Sequence, residues 1–239
     1  MGLFRKRKKE TGPVCSVVVA AAGASTRMGL DKQMADVGGL PVIVRCLQSF
    51  QRAPSVTEIV VVTRTDLVPG IARFCQDYGL GKVTKVVRGG EDRTRSARLG
   101  TLECDPKAPL IAIHDGARPF VTVEVIEAAI AQAAAGGAAA PAVPVKDTLK
   151  QARGGIVEQT LERDVLYAVQ TPQVFDADLI RAALQKALDD GVALTDDCAA
   201  VERLGMKVVL TPGDERNIKL TTPTDLLIGE ILAEEVSAL

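Results

Sequence analysis

The chain of 239 residues carries 29 Lys and Arg against 30 Asp and Glu, a formal net charge of -1, so no global field draws it to nucleic acid or to an acidic membrane. Aromatic residues make up 3% and tryptophan is absent, which argues against a stacking platform for single strands. The 47% hydrophobic content can build a core without disulfides or metal staples, and the five cysteines (Cys15, Cys46, Cys75, Cys104, Cys198) are too scattered for a zinc or redox pair; they fit reduced thiols in a cytoplasmic protein.

Residues 1–13 open with Arg5, Lys6, Arg7, Lys8 and Lys9 and lack a long apolar stretch behind them, the pattern of a disordered basic tail rather than of a signal peptide or membrane span. Short apolar runs then alternate with helical patterns. Residues 15–22, 58–63, 82–87 and 109–114 are short runs rich in valine and isoleucine that read as buried strands, continuous rather than alternating hydrophobicity being what a parallel strand covered on both faces requires. Between and after them the spacing predicts helices over 41–51, 67–78, 94–102 and 123–135, the last capped by Thr122. The implied architecture is α/β: a Rossmann-like, doubly wound, mostly parallel sheet.

After a strand at 138–143 the pattern changes. Residues 145–150 and 156–161 flank a turn at 151–155 that holds Gly154 and Gly155, which predicts an antiparallel β-arm at about 145–165 projecting from a single domain of residues 14–239. Helices over 176–188 and 196–204, a strand at 207–210 and a helix over 223–239 complete the chain.

Three loops carry the chemistry. The first strand runs into AAAGASTRMG and then Asp31, Lys32 and Gln33; small residues let backbone N–H groups approach a polyphosphate, and Arg27 and Lys32 can neutralise it. Neither the GxGxxG fingerprint nor a Walker loop is present, which sets aside a nicotinamide-dependent oxidoreductase. After the third strand, GGEDRTRS places glycines at a strand's carboxyl end before a helix start, where an open sheet binds its ligand. The fourth strand ends in HDGARP. Asp115 suits a hard cation whose other positions are filled by phosphates, and Arg118 can fork onto a phosphate or pair with Asp115. His114, the only histidine, reads as a structural or hydrogen-bonding residue.

The strings AAGASTRMG with KQ, GGEDRTRS, HDGARP, PVKDTLK, ERDVLYAVQTPQVF, TDDCAAVE and GDERNIKLTTPTDL occur in this order over residues 20–226. Together they resemble the 2-C-methyl-D-erythritol 4-phosphate cytidylyltransferases, CTP-using enzymes of the non-mevalonate isoprenoid pathway. The resemblance implies that Ala21, Ala22, Gly23 and Ser25 border the nucleotide and that Gly90, Glu91 and Ser96 recognise cytosine and ribose. It also implies that Arg27 and Lys32 grip the triphosphate in the transition state and that Asp115 contacts Mg2+. Arg118, Thr148, Arg163, Thr171 and Lys219 match residues near the acceptor and the reacting phosphates, with Thr148 and Arg163 supplied from the partner's arm in a homodimer. The chain departs from the family pattern in having Ser25 in place of a second glycine, a short spacer from Met28 to Asp31, and Met34 where an aromatic often follows KQ.

The activity so implied is CMP transfer from CTP to a sugar-alcohol phosphate, with no nucleic acid and no membrane as partner. A ribitol or other polyol phosphate is the alternative acceptor, and a non-catalytic nucleotide-binding protein the alternative of another class.

Overall fold

The computed structural model describes residues 13–23, 31 and 33–237; the basic run at residues 5–9 lies outside them. The first half comprises β1 (Cys15–Ala21), a small hairpin of β2 (Asp36–Val37) and β3 (Leu40–Pro41), α1 (Val42–Arg52), β4 (Val56–Thr63), α2 (Val68–Asp77), β5 (Val83–Arg88), α3 (Arg93–Glu103), β6 (Leu110–Asp115) and α4 (Val123–Gly136). The second half comprises β7 (Ala138–Pro144), β8 (Lys150–Arg153), β9 (Ile156–Thr160), β10 (Tyr167–Val169), β11 (Gln173–Asp176), α5 (Ala177–Asp189), α6 (Asp197–Glu202), β12 (Val209–Pro212) and α7 (Pro223–Ser237).

The main sheet runs in the order β10-β7-β11-β6-β1-β4-β5, with β12 pairing parallel to β7. β6, β1, β4 and β5 are mutually parallel, whereas β11 is antiparallel to both of its neighbours. β1 lies at the centre because its side chains can be buried on both faces. Val17 and Val19 point into a core shared with Ile43 and Leu47 of α1 and Ile126 and Ile130 of α4. Val18, with Val60 and Val62 of β4, points into the opposite core, beside Ile180 and Leu184 of α5. Burying each such aliphatic side chain stabilises the fold by roughly 1.5–3 kcal/mol. The result is the three-layer, mostly parallel α/β architecture expected from the continuous apolar runs.

Close packing of α3 on the sheet depends on Gly100. A Cβ there would stand 2.3 Å from Val18 Cγ1 and 2.8 Å from Val62 Cγ2. The helix starts at Asp92, whose Oδ1 accepts the Arg95 N–H at 2.7 Å. Thr122 caps α4 in the same way, through the Val125 N–H, as its position before the helix predicted.

The arm differs in register from the sequence reading. Its strands are β8 and β9, so 145–149 are not part of the hairpin's first strand. Gly154 and Gly155 have φ of +57° and +82°, the two positive values that a two-residue hairpin turn demands. The strands therefore run up to the glycines, and Arg153 pairs with Ile156. β10 and β11 were not anticipated, and the last strand lies at Val209–Pro212 rather than at 207–210.

Candidate active site

The strand order reverses between β1 and β6, because the chain leaves β1 toward β4 and β5 and returns to add β6 on the other edge. A crevice opens at the carboxyl ends of strands at such a switch point. Here a cleft of about 270 Å³ lies there, walled by Ala22 and Gly23 after β1, Gly90 and Glu91 after β5, Ser96 on α3, and Asp115 at the tip of β6. Ala20, Gln33, Asp92, Arg93, Ala117 and Lys219 complete its lining. Two backbone hydrogen bonds gather these loops: Gly116 N–H to the Ala20 carbonyl at 2.9 Å, and Leu220 N–H to the Ala117 carbonyl at 2.8 Å, which brings Lys219 in from a distant part of the chain.

Gly89 and Gly90 are required by close approach. A Cβ on Gly89 would lie 2.6 Å from Ala22 Cβ and 2.8 Å from Ser96 Oγ, and one on Gly90 would lie 2.5 Å from Arg95 Cβ. The Gly90 N–H donates to Ser96 Oγ at 3.1 Å, so the serine is tied to the loop it faces.

Asp115 is the electrostatic centre. It is 8% exposed and has Lys219 Nζ 2.7 Å from Oδ2, Arg93 Nε 3.6 Å from Oδ1 and Arg118 Nε 3.8 Å from Oδ2. Burial, the largest single influence, pushes its carboxyl upward; Lys219, Arg93 and Arg118 together outweigh it and hold the group down at about 2. Of these cations Lys219 and Arg93 line the cleft, beside the acidic Glu91, Asp92 and Asp115, and they are the described basic groups that could meet a polyphosphate there. Arg118 is turned away from the opening, with its Nη1 donating to the Asn217 carbonyl at 2.6 Å.

His114, behind Asp115, is fully buried. Its Nε2 lies 3.1 Å from the Arg118 carbonyl, which can only accept, so Nε2 carries the proton. Nδ1 then accepts from the Thr171 hydroxyl at 2.9 Å, and Thr171 Oγ1 accepts the Asp115 N–H at 3.1 Å. Burial drives the imidazole down to about 4, so it stays neutral and serves as a brace. The hydroxyl proton of Thr171 is committed to His114, which leaves that side chain only acceptor capacity for a ligand.

The structure thus brings Ala22, Gly23, Gly90, Glu91, Ser96, Asp115 and Lys219 to one cleft. Ala21 is buried beneath it, beside Gly116, and Thr171 lies behind Asp115. Ser25, Arg27 and Lys32 lie outside the described residues. Thr148 and Arg163 are not brought to this cleft. Both are exposed at the base of the arm, where Arg163 Nη1 donates to the Lys146 carbonyl at 3.1 Å. Arg93, Gln33 and Asn217 went unassigned from sequence although they sit inside the quoted strings GGEDRTRS, KQ and NIK. Only the fold shows Arg93 turned toward Asp115 and Asn217 buried, donating to the Gln170 side chain and the Thr171 carbonyl.

Among the described residues no group of three or more His, Cys, Asp or Glu could hold a metal ion. The donor set fits a magnesium ion only if phosphates and water fill most of its positions and Asp115 supplies the protein oxygen. The buried Oε1 of Gln33, which has no hydrogen-bond partner among the described residues, lies on the same cleft wall.

The profile of the IspD family, 2-C-methyl-D-erythritol 4-phosphate cytidylyltransferase, matches residues 14–235. Proteins of that name from Caldanaerobacter subterraneus subsp. tengcongensis and Geobacillus kaustophilus are each 44% identical, over 90% and 92% of this chain and 97% of their own length. Among solved structures, the 4-diphosphocytidyl-2C-methyl-D-erythritol synthase of Anaerococcus prevotii superposes with a TM-score of 0.83 at 30% identity, covering 93% of this chain and 99% of that one. The Thermus thermophilus cytidylyltransferase gives 0.76 at 31% identity, covering 91% and 98%. With its switch-point cleft and the Asp115–Lys219 pair in place, the chain belongs to the 2-C-methyl-D-erythritol 4-phosphate cytidylyltransferase family.

Proposed function

We propose that the cleft transfers CMP from CTP to 2-C-methyl-D-erythritol 4-phosphate, giving 4-diphosphocytidyl-2-C-methyl-D-erythritol and pyrophosphate. The observation that carries this reading is the cation-ringed Asp115 on the floor of the cleft of a chain with this family membership. A phosphate oxygen of the acceptor attacks the α-phosphorus of CTP, a new P–O bond forms, and the bond to the β-phosphate breaks as pyrophosphate leaves. A phosphate monoester with a second pKa of about 6 is already largely dianionic at neutral pH, so no strong base is needed. The neutral, fully engaged His114 accords with that.

The barrier lies in bringing two anions together and in stabilising charge on the equatorial and leaving oxygens. Lys219 and Arg93 face the cleft to do so, and Arg27 and Lys32 follow from the family likeness. Gly90, Glu91 and Ser96 form the wall for the cytidine base and ribose, opposite Ala22 and Gly23. Magnesium, when bound, withdraws charge from the phosphates, and Asp115 is the carboxylate that would hold it.

The arm supports an exchanged homodimer. Ile156 is 74% exposed, Val157 54% and Val165 66%, an apolar surface that a lone hairpin does not bury. A partner's arm reaching over the cleft would bring Arg163 and Thr148 to the acceptor phosphate, for which a guanidinium fork is suited. We also read the chain as cytoplasmic. Its cysteines are free, and among the described residues no helix is long and apolar enough to cross a membrane.

Pyrophosphate release from CTP, measured with 2-C-methyl-D-erythritol 4-phosphate and separately with ribitol 5-phosphate, tests the assignment. Release with the first acceptor is expected. Preference for ribitol phosphate would transfer the chain to the polyol alternative, and CTP binding without release would make it a nucleotide-binding protein.

A further inference from the structure

We propose that Asp197, which does not line the cleft, is a positioning residue that acts through Arg93 on Asp115; this rests on the magnesium reading given above. Asp197 is 1% exposed at the start of α6. That turn is clamped to β11: the side-chain oxygen of Gln173 accepts the N–H groups of Asp197 and Cys198 at 2.9 and 3.0 Å, and its amide donates to Asp196 Oδ2 at 2.8 Å. From this fixed place Asp197 Oδ2 accepts from Arg93 Nη2 at 2.6 Å, while Asp197 Oδ1 has no hydrogen-bond partner among the described residues.

Arg93 is therefore shared unequally between two carboxylates. It is bonded to Asp197 and held 3.6 Å from Asp115, beyond hydrogen-bonding distance. Asp197 restrains a cation that would otherwise settle on Asp115 and occupy the oxygen that a metal ion needs. Asp196, the N-cap residue of α6, adds to the negative field on Arg93, while Lys219 and Arg118 share Asp115 with it, and none of these replaces the bond from Asp197 to Arg93.

The two halves of this pair then have opposite effects. Removing the charge of Asp197 releases Arg93 toward Asp115 and disfavours the metal, whereas removing the charge of Arg93 uncovers Asp115 and favours it. Loss of structural support alone would move both variants in one direction.

The test is calorimetric binding of CTP over a magnesium series and in a chelator, for Asp197→Asn, Arg93→Gln and the double variant. The magnesium concentration that half-saturates the effect should rise about three- to tenfold in Asp197→Asn and fall by a similar factor in Arg93→Gln. The double variant should follow Arg93→Gln, since Asp197 reaches Asp115 only through that arginine. In chelator, Asp197→Asn should bind CTP within about twofold of wild type. Shifts of one sign in both single variants, or equal weakening of Asp197→Asn with and without magnesium, would overturn the role. If Asp197→Asn fails to fold, the double variant, which leaves no buried charge uncompensated, must still show the fall. A wild-type protein whose CTP binding ignores magnesium would instead remove the magnesium reading on which the role stands.

Discussion

Lys219 Nζ lies 2.7 Å from Asp115 Oδ2, joining the segment before α7 to the tip of β6 across the floor of the cleft. The lysine side chain is 40% exposed on its own account, so its charge is in contact with the cleft as well as with the carboxylate. Incoming phosphates compete for the ammonium, and the transition state, with more charge on its oxygens, competes better. Lys219→Met should lower kcat of pyrophosphate release by about 10²–10³, with the protein still folded but less stable to heat because Asp115 loses its nearest cation. Near-normal turnover would remove Lys219 from the chemistry.

Arg163 and the nucleotide site are separated in the protomer, which makes subunit mixing informative. If the arm is exchanged, Arg27→Ala and Arg163→Ala are each inactive, and a hybrid dimer contains one site with both arginines intact. Equal mixing with free exchange should recover about a quarter of wild-type sites. Recovery is followed by turnover after co-refolding, with exchange verified by differently tagged chains. No recovery under verified exchange would place Arg163 and Arg27 in one protomer's site.

Much of this was legible in the sequence for physical reasons. β1, β4 and β6 announce themselves because a strand buried on both faces has no polar positions to spare, and the cleft loops because close backbone approach demands residues such as Gly89, Gly90 and Ala22. The arm was visible in Gly154 and Gly155, but its register depended on both glycines being central turn residues. β10 and β11 escaped notice because each is short and they are separated by Gln170–Pro172, so neither shows a period. Arg93 and Asp197 could not be paired from sequence. An arginine and an aspartate that each open a helix have a sufficient local explanation, and only the packing of α6 against β11 brings them to 2.6 Å.

Gly89 offers a test of the nucleotide wall that adds no charge and removes none. Its added Cβ would meet Ala22 Cβ at 2.6 Å, Ser96 Oγ at 2.8 Å and Val62 Cγ1 at 3.3 Å; Ala22 directly follows β1 and Val62 is packed within β4. Gly89→Ala must therefore widen the gap between the β1 loop and α3, at about 1–3 kcal/mol of stability. CTP affinity by calorimetry should fall about tenfold or more, alongside a lower denaturant midpoint. Unchanged CTP affinity together with the lower midpoint would place the nucleotide elsewhere.

The brace behind Asp115 predicts how stability depends on pH. His114 is neutral in the folded state, with its value driven down to about 4 by burial, whereas an unfolded chain returns it to the ordinary range near 6.5. Between these values the unfolded state binds the extra proton, so stability must fall as pH drops through the window from about 6.5 to about 4. Lowering pH from 7 to 5 should cost about 2 kcal/mol from this group alone. Asp115 acts in a different window: its depressed value, about 2, gives stability that is present above the ordinary aspartate value and lost only as pH falls below it. Denaturant unfolding at pH 7 and pH 5, in chelator so that no metal contributes, measures the histidine effect. His114→Asn, if folded, should flatten the profile between pH 7 and 5 even while lowering stability at pH 7, because it removes the titrating ring. A variant that keeps the wild-type slope would mean that the pH dependence arises elsewhere and that His114 is not the buried neutral brace.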